Sequence, residues 1–234
     1  MAAPGVPTLP SATRRPAGAL GTFWGSTIGK KVVMAVSGLI MVGFVVGHVF
    51  GNLLVFRGAE QMNHYAAFLK STGGLLWAVR GVLLASLVLH VVAAVQLTAA
   101  QRAARPAAYH RRDPQVSTIA SRTIRWGGGL LLAFIIFHLL HFTLGTVHPR
   151  FSETDVYSNI VVGFSDWRVS AFYILAMAGL GLHLYHGAWS SLRTLGLHRA
   201  SAAPLKRRLV LLLAVAVWLG FTAIPVAVLA GLVR

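Results

Sequence analysis

Six histidines, His48, His90, His138, His141, His183 and His186, lie in stretches of the chain that are otherwise apolar. Imidazole in such surroundings can bind a transition metal, relay protons, or hydrogen-bond a carbonyl of a neighbouring segment. The last reading suits one isolated histidine. Six, spread over four segments, are harder to explain as packing, because ionisable groups deep in apolar surroundings are costly and rare. The chain has ten histidines but only five acids, Glu60, Asp113, Glu153, Asp155 and Asp166, and every acid falls between the apolar stretches. It has no cysteine. That excludes disulfides, thiolate metal sites and an iron–sulfur cluster held by cysteines of this chain.

The elements that must position these imidazoles follow from composition. The 234 residues are 56% hydrophobic and 11% charged, with a formal charge of +16 and a mean hydropathy of +0.70. Soluble domains carry about twice that charged fraction, and a nucleic-acid binder would place its cations on a polar surface. Long apolar segments joined by cationic loops describe an integral membrane protein. Five segments are long enough to span a bilayer, near residues 32–56, 75–99, 126–147, 169–192 and 209–233. Only helices or closed barrels satisfy the backbone there, and runs without alternation are helices. The expected fold is all-α, a five-helix transmembrane bundle over residues 23–234, with residues 1–22 a disordered cytoplasmic arm rich in Ala, Pro and Gly. Loops on the N-terminal side hold fifteen Lys and Arg against six on the other. This places the N-terminus in the cytoplasm and the C-terminus outside. The outer loops 57–74 and 148–168 are long enough for interfacial helices. They carry similar runs, Glu60 to Tyr65 and Glu153 to Asn159.

Depth sorts the histidines. With a rise of about 1.5 Å per residue, His90 and His183 lie about 14 Å from the inner ends of their helices, and His48 and His138 about 24 and 20 Å from theirs. Helices two and four thus supply an inner pair, and helices one and three an outer pair. Zinc or non-haem iron would recruit a carboxylate, a cysteine or a third histidine at the same level. Two imidazoles suit haem iron, whose porphyrin supplies the other four nitrogens, so the pattern predicts two b-type haems. Small residues that would leave room for a macrocycle, or serve close helix packing, flank His183 (Gly179, Gly187), His90 (Ser86, Ala94) and His48 (Gly43, Gly47, Gly51). Phe134 and Phe142 flank His138, so His141, with Gly145 beyond it, competes for the outer ligand position. Otherwise His141 and His186, each three residues after a ligand, are supporting groups that bond a propionate or a quinone oxygen, or plain helix contacts. His64, His110, His148 and His198 fall in loops or at boundaries and read as solvated.

The segments together resemble the diheme cytochrome b subunit of bacterial succinate dehydrogenase and fumarate reductase, the single-polypeptide, five-helix type. Gly47-His48-Val49-Phe50-Gly51-Asn52 followed by Arg57-Gly58-Ala59-Glu60 resembles its first ligand helix. Leu89-His90-Val91 occupies the second ligand position. Arg125, thirteen residues before His138, matches the third and favours His138 over His141, and the run His183 to Ser190 resembles the fourth. The similarity covers about residues 24–234. It implies His48 and His138 on the outer haem, and His90 and His183 on the inner one. It also implies a flavoprotein and an iron–sulfur subunit on the cytoplasmic face, and a membrane quinone, commonly menaquinone. Some relatives have a glutamate two residues before the fourth ligand; here that position is Gly181. With no acid in any span, a carboxylate proton route through this chain is expected to be absent.

Quinone is expected near a haem edge at one membrane surface. His64, Lys70, His48 and His141 offer polar groups at the outer end, and Trp24, Lys30 and Lys31 at the inner end. The chain has no succinate site of its own, and the expected location is a bacterial cytoplasmic membrane, with no nucleic-acid partner. Two alternatives differ in class. One is the cytochrome b anchor of another quinone-linked dehydrogenase or hydrogenase. The other is a cofactor-free transporter using intramembrane histidines.

Overall fold

A computed structural model describes residues 18–104, 119–197 and 199–234. The described residues are helical, without a strand: α1 (Ala19–Gly25), α2 (Thr27–Asn52), α3 (Ala59–Ser71), α4 (Gly74–Ala103), α5 (Ile119–His138), α6 (Val156–Ser165), α7 (Trp167–Thr194) and α8 (Ala203–Leu229). A 3-10 turn, Leu53–Arg57, extends α2, and a π-helical turn, Leu139–Thr143, extends α5. Five of these helices, α2, α4, α5, α7 and α8, are long and apolar enough to cross a membrane. Leu84 and Val95 on α4, Ile136 on α5, Leu175 on α7 and Leu212 on α8 are more than half exposed. Such outward-facing bulk fits helices whose surroundings are themselves apolar.

Helix ends depart from the sequence expectation where polar residues begin a helix. Ser26 caps α2 by accepting from the Gly29 amide at 2.9 Å, so Lys30 and Lys31 belong to the first turns of a helix expected near Val32. Of the expected arm of residues 1–22, Ala19 to Thr22 lie in α1. Residues 1–17, with Arg14 and Arg15, are outside the described residues. So are 105–118, with His110, Asp113 and both prolines of that loop, and His198. At Gly29 a Cβ would stand 1.9 Å from the Phe23 carbonyl oxygen. Only glycine permits this close join of α1 onto α2. Asp155 and Asp166 cap α6 and α7; an acid at a helix N-terminus meets unpaired amides and the positive end of the dipole.

The helices α2 and α4, α2 and α7, and α5 and α7 pack side by side, and α8 lies along α7 and α2. Helices α4 and α5 have at most marginal contact, as do the diagonal pairs α2 with α5 and α4 with α7. Four helices therefore surround a space that their backbones do not fill. One end of this bundle is closed. Val55, Met62, Ile160, Phe164, Tyr173, Ile224 and Val228 form a buried apolar cluster there beneath α3 and α6. The Asn63 amide donates to Asp155 Oδ1 at 2.9 Å, and its carbonyl accepts from the Tyr157 amide at 3.0 Å, which ties α3 to α6. The similar runs noted in the two outer loops thus meet in one cap. Buried Asn159 closes the preceding loop through the Ser152 amide (2.8 Å) and carbonyl (2.7 Å).

Candidate functional site

The transmembrane histidines meet across the diagonals of the four-helix space. His48 on α2 faces His138 on α5 with ring centres 5.9 Å apart. His90 on α4 faces His183 on α7 at 6.2 Å. Neither pair joins neighbouring helices, so the rings meet where the backbones stay apart. Two imidazoles on opposite faces of one iron, with bonds of about 2 Å, would place their ring centres about 6 Å apart.

Hydrogen bonds bear on which ring nitrogen is free. His90 Nδ1 lies 3.0 Å from the Met34 carbonyl oxygen. A carbonyl only accepts, so Nδ1 carries the proton and Nε2 keeps its lone pair. Ser37 is 3.5 Å from the same nitrogen, and a Cβ at Gly38 would stand 3.2 Å from His90 Cε1, so glycine makes room for the ring. His183 Nδ1 is buried without a partner, one of two such side-chain atoms among the described residues. An orphaned buried nitrogen costs about 1–3 kcal/mol, relieved only by a group that reaches Nδ1 itself. Beside His183 a cavity of 410 Å³ runs between α5 and α7, lined by Thr123, Gly127, Leu130, Ala178 and Gly179 among others.

The second pair is packed differently. Phe44 stacks on His48 at 5.1 Å and Phe134 on His138 at 5.7 Å, while Phe221 is 5.7 Å from His48. The Asn52 amide donates to the His48 carbonyl at 2.8 Å and stands 3.3 Å from both ring nitrogens. Tyr173 Oη lies 3.4 Å from His138 Nδ1 and 3.1 Å from His141 Nδ1.

His141 is 1% exposed and turned toward Tyr173, with Phe142 and the His148 ring 4.1 and 5.0 Å away. It does not face His48. The π turn carries it further around the helix axis from His138 than three α-helical residues would. His186 is half-buried and lies 3.4 Å from Ser190 on its own helix. His148, expected to be solvated, is buried. Its Nδ1 accepts from the Arg150 amide at 3.1 Å and its Nε2 donates to the Asn159 carbonyl at 2.9 Å, a wholly structural use of both nitrogens.

Of the expected quinone-site residues, His64 is exposed on α3, and Lys70 donates to the Glu153 carbonyl. Trp24 and Lys30 are half-buried where α1 meets α2, and Lys31 is exposed. No described contact joins any of them to a histidine pair. Tyr65 is the residue of that run that reaches α2: a Cβ at Gly51 would lie 2.9 Å from its hydroxyl. The small-residue stripe divides likewise, since Gly51 lies under Tyr65 and Gly179 under Leu130, whereas Gly43, Gly47 and Gly187 meet no other element among the described residues. At Gly181 a Cβ would stand 3.3 Å from Trp218 Cβ, so a glutamate there would press on α8.

Sequence reading missed Tyr173, Met34 and Tyr65. Only Tyr173 left a sequence signal, a hydroxyl in a span that lacks acids. Among the described residues no three His, Cys, Asp or Glu side chains gather to hold a metal ion. The imidazoles come in twos, so the donor set suits a metal that brings most of its own ligands and leaves a bare ion under-coordinated. Compared with protein-family models, curated proteins and solved structures, the chain matches none of them.

Proposed function

We propose that this chain is the membrane anchor and electron-transfer subunit of a succinate:quinone oxidoreductase, with two b haems and a membrane quinone, probed most directly through its two diagonal histidine pairs. The observation that carries the haem reading is that pairing: rings 5.9 and 6.2 Å apart, each joining helices whose backbones do not pack together. Assignment to succinate dehydrogenase or fumarate reductase rests on the sequence resemblance, and with it the flavoprotein and iron–sulfur partners, menaquinone, and a bacterial cytoplasmic membrane. The cation count supports an N-terminus on the cytoplasmic side, which makes the α3/α6 cap the outer end.

Haem iron, when bound, supplies one-electron chemistry at each level. The chain's own residues hold and tune it. His90 and His183 would hold the inner haem, and His48 and His138 the outer one. Met34 orients His90 through Nδ1, leaving the Nε2 lone pair free; such a partner fixes the ring and raises its basicity. The apolar helix faces exclude water from both levels. Quinone would sit at one end of the bundle, and His64, Lys70, Trp24 and Lys30 are the residues to test.

The deciding measurement is a dithionite-reduced minus oxidised spectrum of the purified chain, with haem quantitation. A b-type α-band and about two haems per chain are expected. A colourless protein would sink the reading in favour of a cofactor-free membrane protein. Co-purification through a tag on this chain tests the partners: a flavoprotein and an iron–sulfur protein are expected, and hydrogenase or formate dehydrogenase subunits would replace the succinate assignment.

A further inference from the structure

We infer that Tyr173 is a positioning residue for the outer pair, holding His138 in the tautomer that ligates through Nε2 and coupling it to His141. The inference rests on the haem reading above and concerns how this chain sets one of the two sites.

Tyr173 is buried, with 5% of its surface exposed, and its ring is walled by Phe134, Phe137, Phe142 and Phe164 at 4.9 to 6.1 Å. Its hydroxyl stands between two imidazole nitrogens, His141 Nδ1 at 3.1 Å and His138 Nδ1 at 3.4 Å. A phenol has one proton to donate. Tyr173 Oη has no other described hydrogen bond, so its buried proton is satisfied only if one ring accepts it, and the other ring then donates to the oxygen. With the shorter contact taken as the phenol's donation, His141 Nδ1 accepts, and the proton on the longer contact belongs to His138 Nδ1. His138 Nε2 is then the nitrogen with the free lone pair. The opposite polarity would place a proton on His138 Nε2, where a ligand must bind.

The inner level reaches the same result by a different route, through the Met34 carbonyl and His90 Nδ1. A backbone carbonyl cannot reverse its polarity, whereas a phenol can. The outer level therefore needs His141 as the acceptor that sets the direction. This gives a use for the buried His141, which the π turn carries out of line with His138. An N–H donated to an oxygen raises ligand basicity. More basic axial ligands favour ferric over ferrous iron, so this hydrogen bond lowers the outer potential.

The test is a potentiometric titration of both haems in the full chain, comparing the parent with Tyr173→Phe, His141→Leu and the double variant. Tyr173→Phe is expected to keep both haems and to change the outer ferric-to-ferrous preference about tenfold, a rise of about 59 mV for one electron. The inner potential should stay put. His141→Leu should raise the outer potential by less, and the double variant should match Tyr173→Phe alone, since the two act in series. An unchanged outer potential in Tyr173→Phe, or shifts that simply add, overturns the inference. If Tyr173→Phe does not fold, His141→Leu decides alone, and no outer shift overturns it. Absence of haem from the parent would instead overturn the functional reading itself.

Discussion

The two histidine levels are built from the same ligand type in opposite surroundings. At the cap end, His48 and His138 lie among Phe44, Phe134, Phe221 and Tyr173, under a lid tied by Asn63, Asp155 and Asn159. At the other level, His90 and His183 are bordered by Ser37, Gly38 and Gly128, and a cavity opens beside His183. One pair is held by aromatic packing, the Tyr173 hydroxyl and the Asn52 amide, the other by a backbone carbonyl, the Ser37 hydroxyl and space. Were both pairs to hold haem as proposed, hydrogen bonding and burial would be the levers left to separate the two potentials. Room for a planar ring can thus come from glycine, or from helices that stay apart.

The comparison can be broken by removing one ligand at a time. His183→Ala or His90→Ala should lower haem content by about half, with the outer haem retained, because the pairs stand at separate levels. Haem quantitation with resolved redox titration reads this. Retention of both haems in His183→Ala would transfer the ligand role to His186, and the same measurement on His138→Ala against His141→Ala decides the outer ligand.

A smaller effect separates space from packing. A side chain at Gly38 begins 3.2 Å from His90 Cε1, so Gly38→Leu should displace the ring and weaken inner haem binding about 10- to 100-fold. Gly163 is its counterpart at the cap, where a Cβ would stand 2.9 Å from both His141 Cε1 and Phe142 Cζ. There Gly163→Ala should cost about 1–3 kcal/mol of stability through overpacking while both haems remain, as followed by thermal unfolding in detergent. Equal haem loss in the two variants would erase the distinction between the levels.

The smallest effect belongs to the lid. The Ser158 amide and then the Asn63 amide hold the Asp155 carboxyl below its ordinary value. A depressed carboxylate stabilises the fold fully above its unfolded pKa of about 3.9 and loses that contribution as the pH falls through the lower folded value. The protection of the α6 amides, taken as hydrogen exchange relative to the intrinsic rate at each pH, should therefore fall at acid pH. Asn63→Ala, which removes the bond to Asp155 and the one from the Tyr157 amide, should lower that protection at neutral pH, for about 1–2 kcal/mol. Exchange in α6 that ignores both changes would mean that apolar packing alone holds the lid.

Much of the fold was legible because its determinants are local. Each span carries its own length and apolarity, and these survive any change of neighbours. The helix starts were less legible, since Lys30 and Lys31 lower local hydropathy although Ser26 caps a helix that includes them. Lys206, Arg207 and Arg208 likewise hide the start of α8 at Ala203. Where His141 turns relative to His138 was illegible because a π turn has no reliable signal in residue type. His148 was misjudged because its partners are backbone groups of its own loop.

The sequence by itself determined five apolar spans, the exclusion of acids from them, and which span carries each of the six histidines. Those are counts along one chain and a fixed rise per residue. Only the tertiary structure decided that the imidazoles meet across the diagonals, that α4 and α5 stand apart, and that Met34 and Tyr173 reach the rings. Such outcomes depend on how side chains from distant segments interlock, and no single segment contains that information.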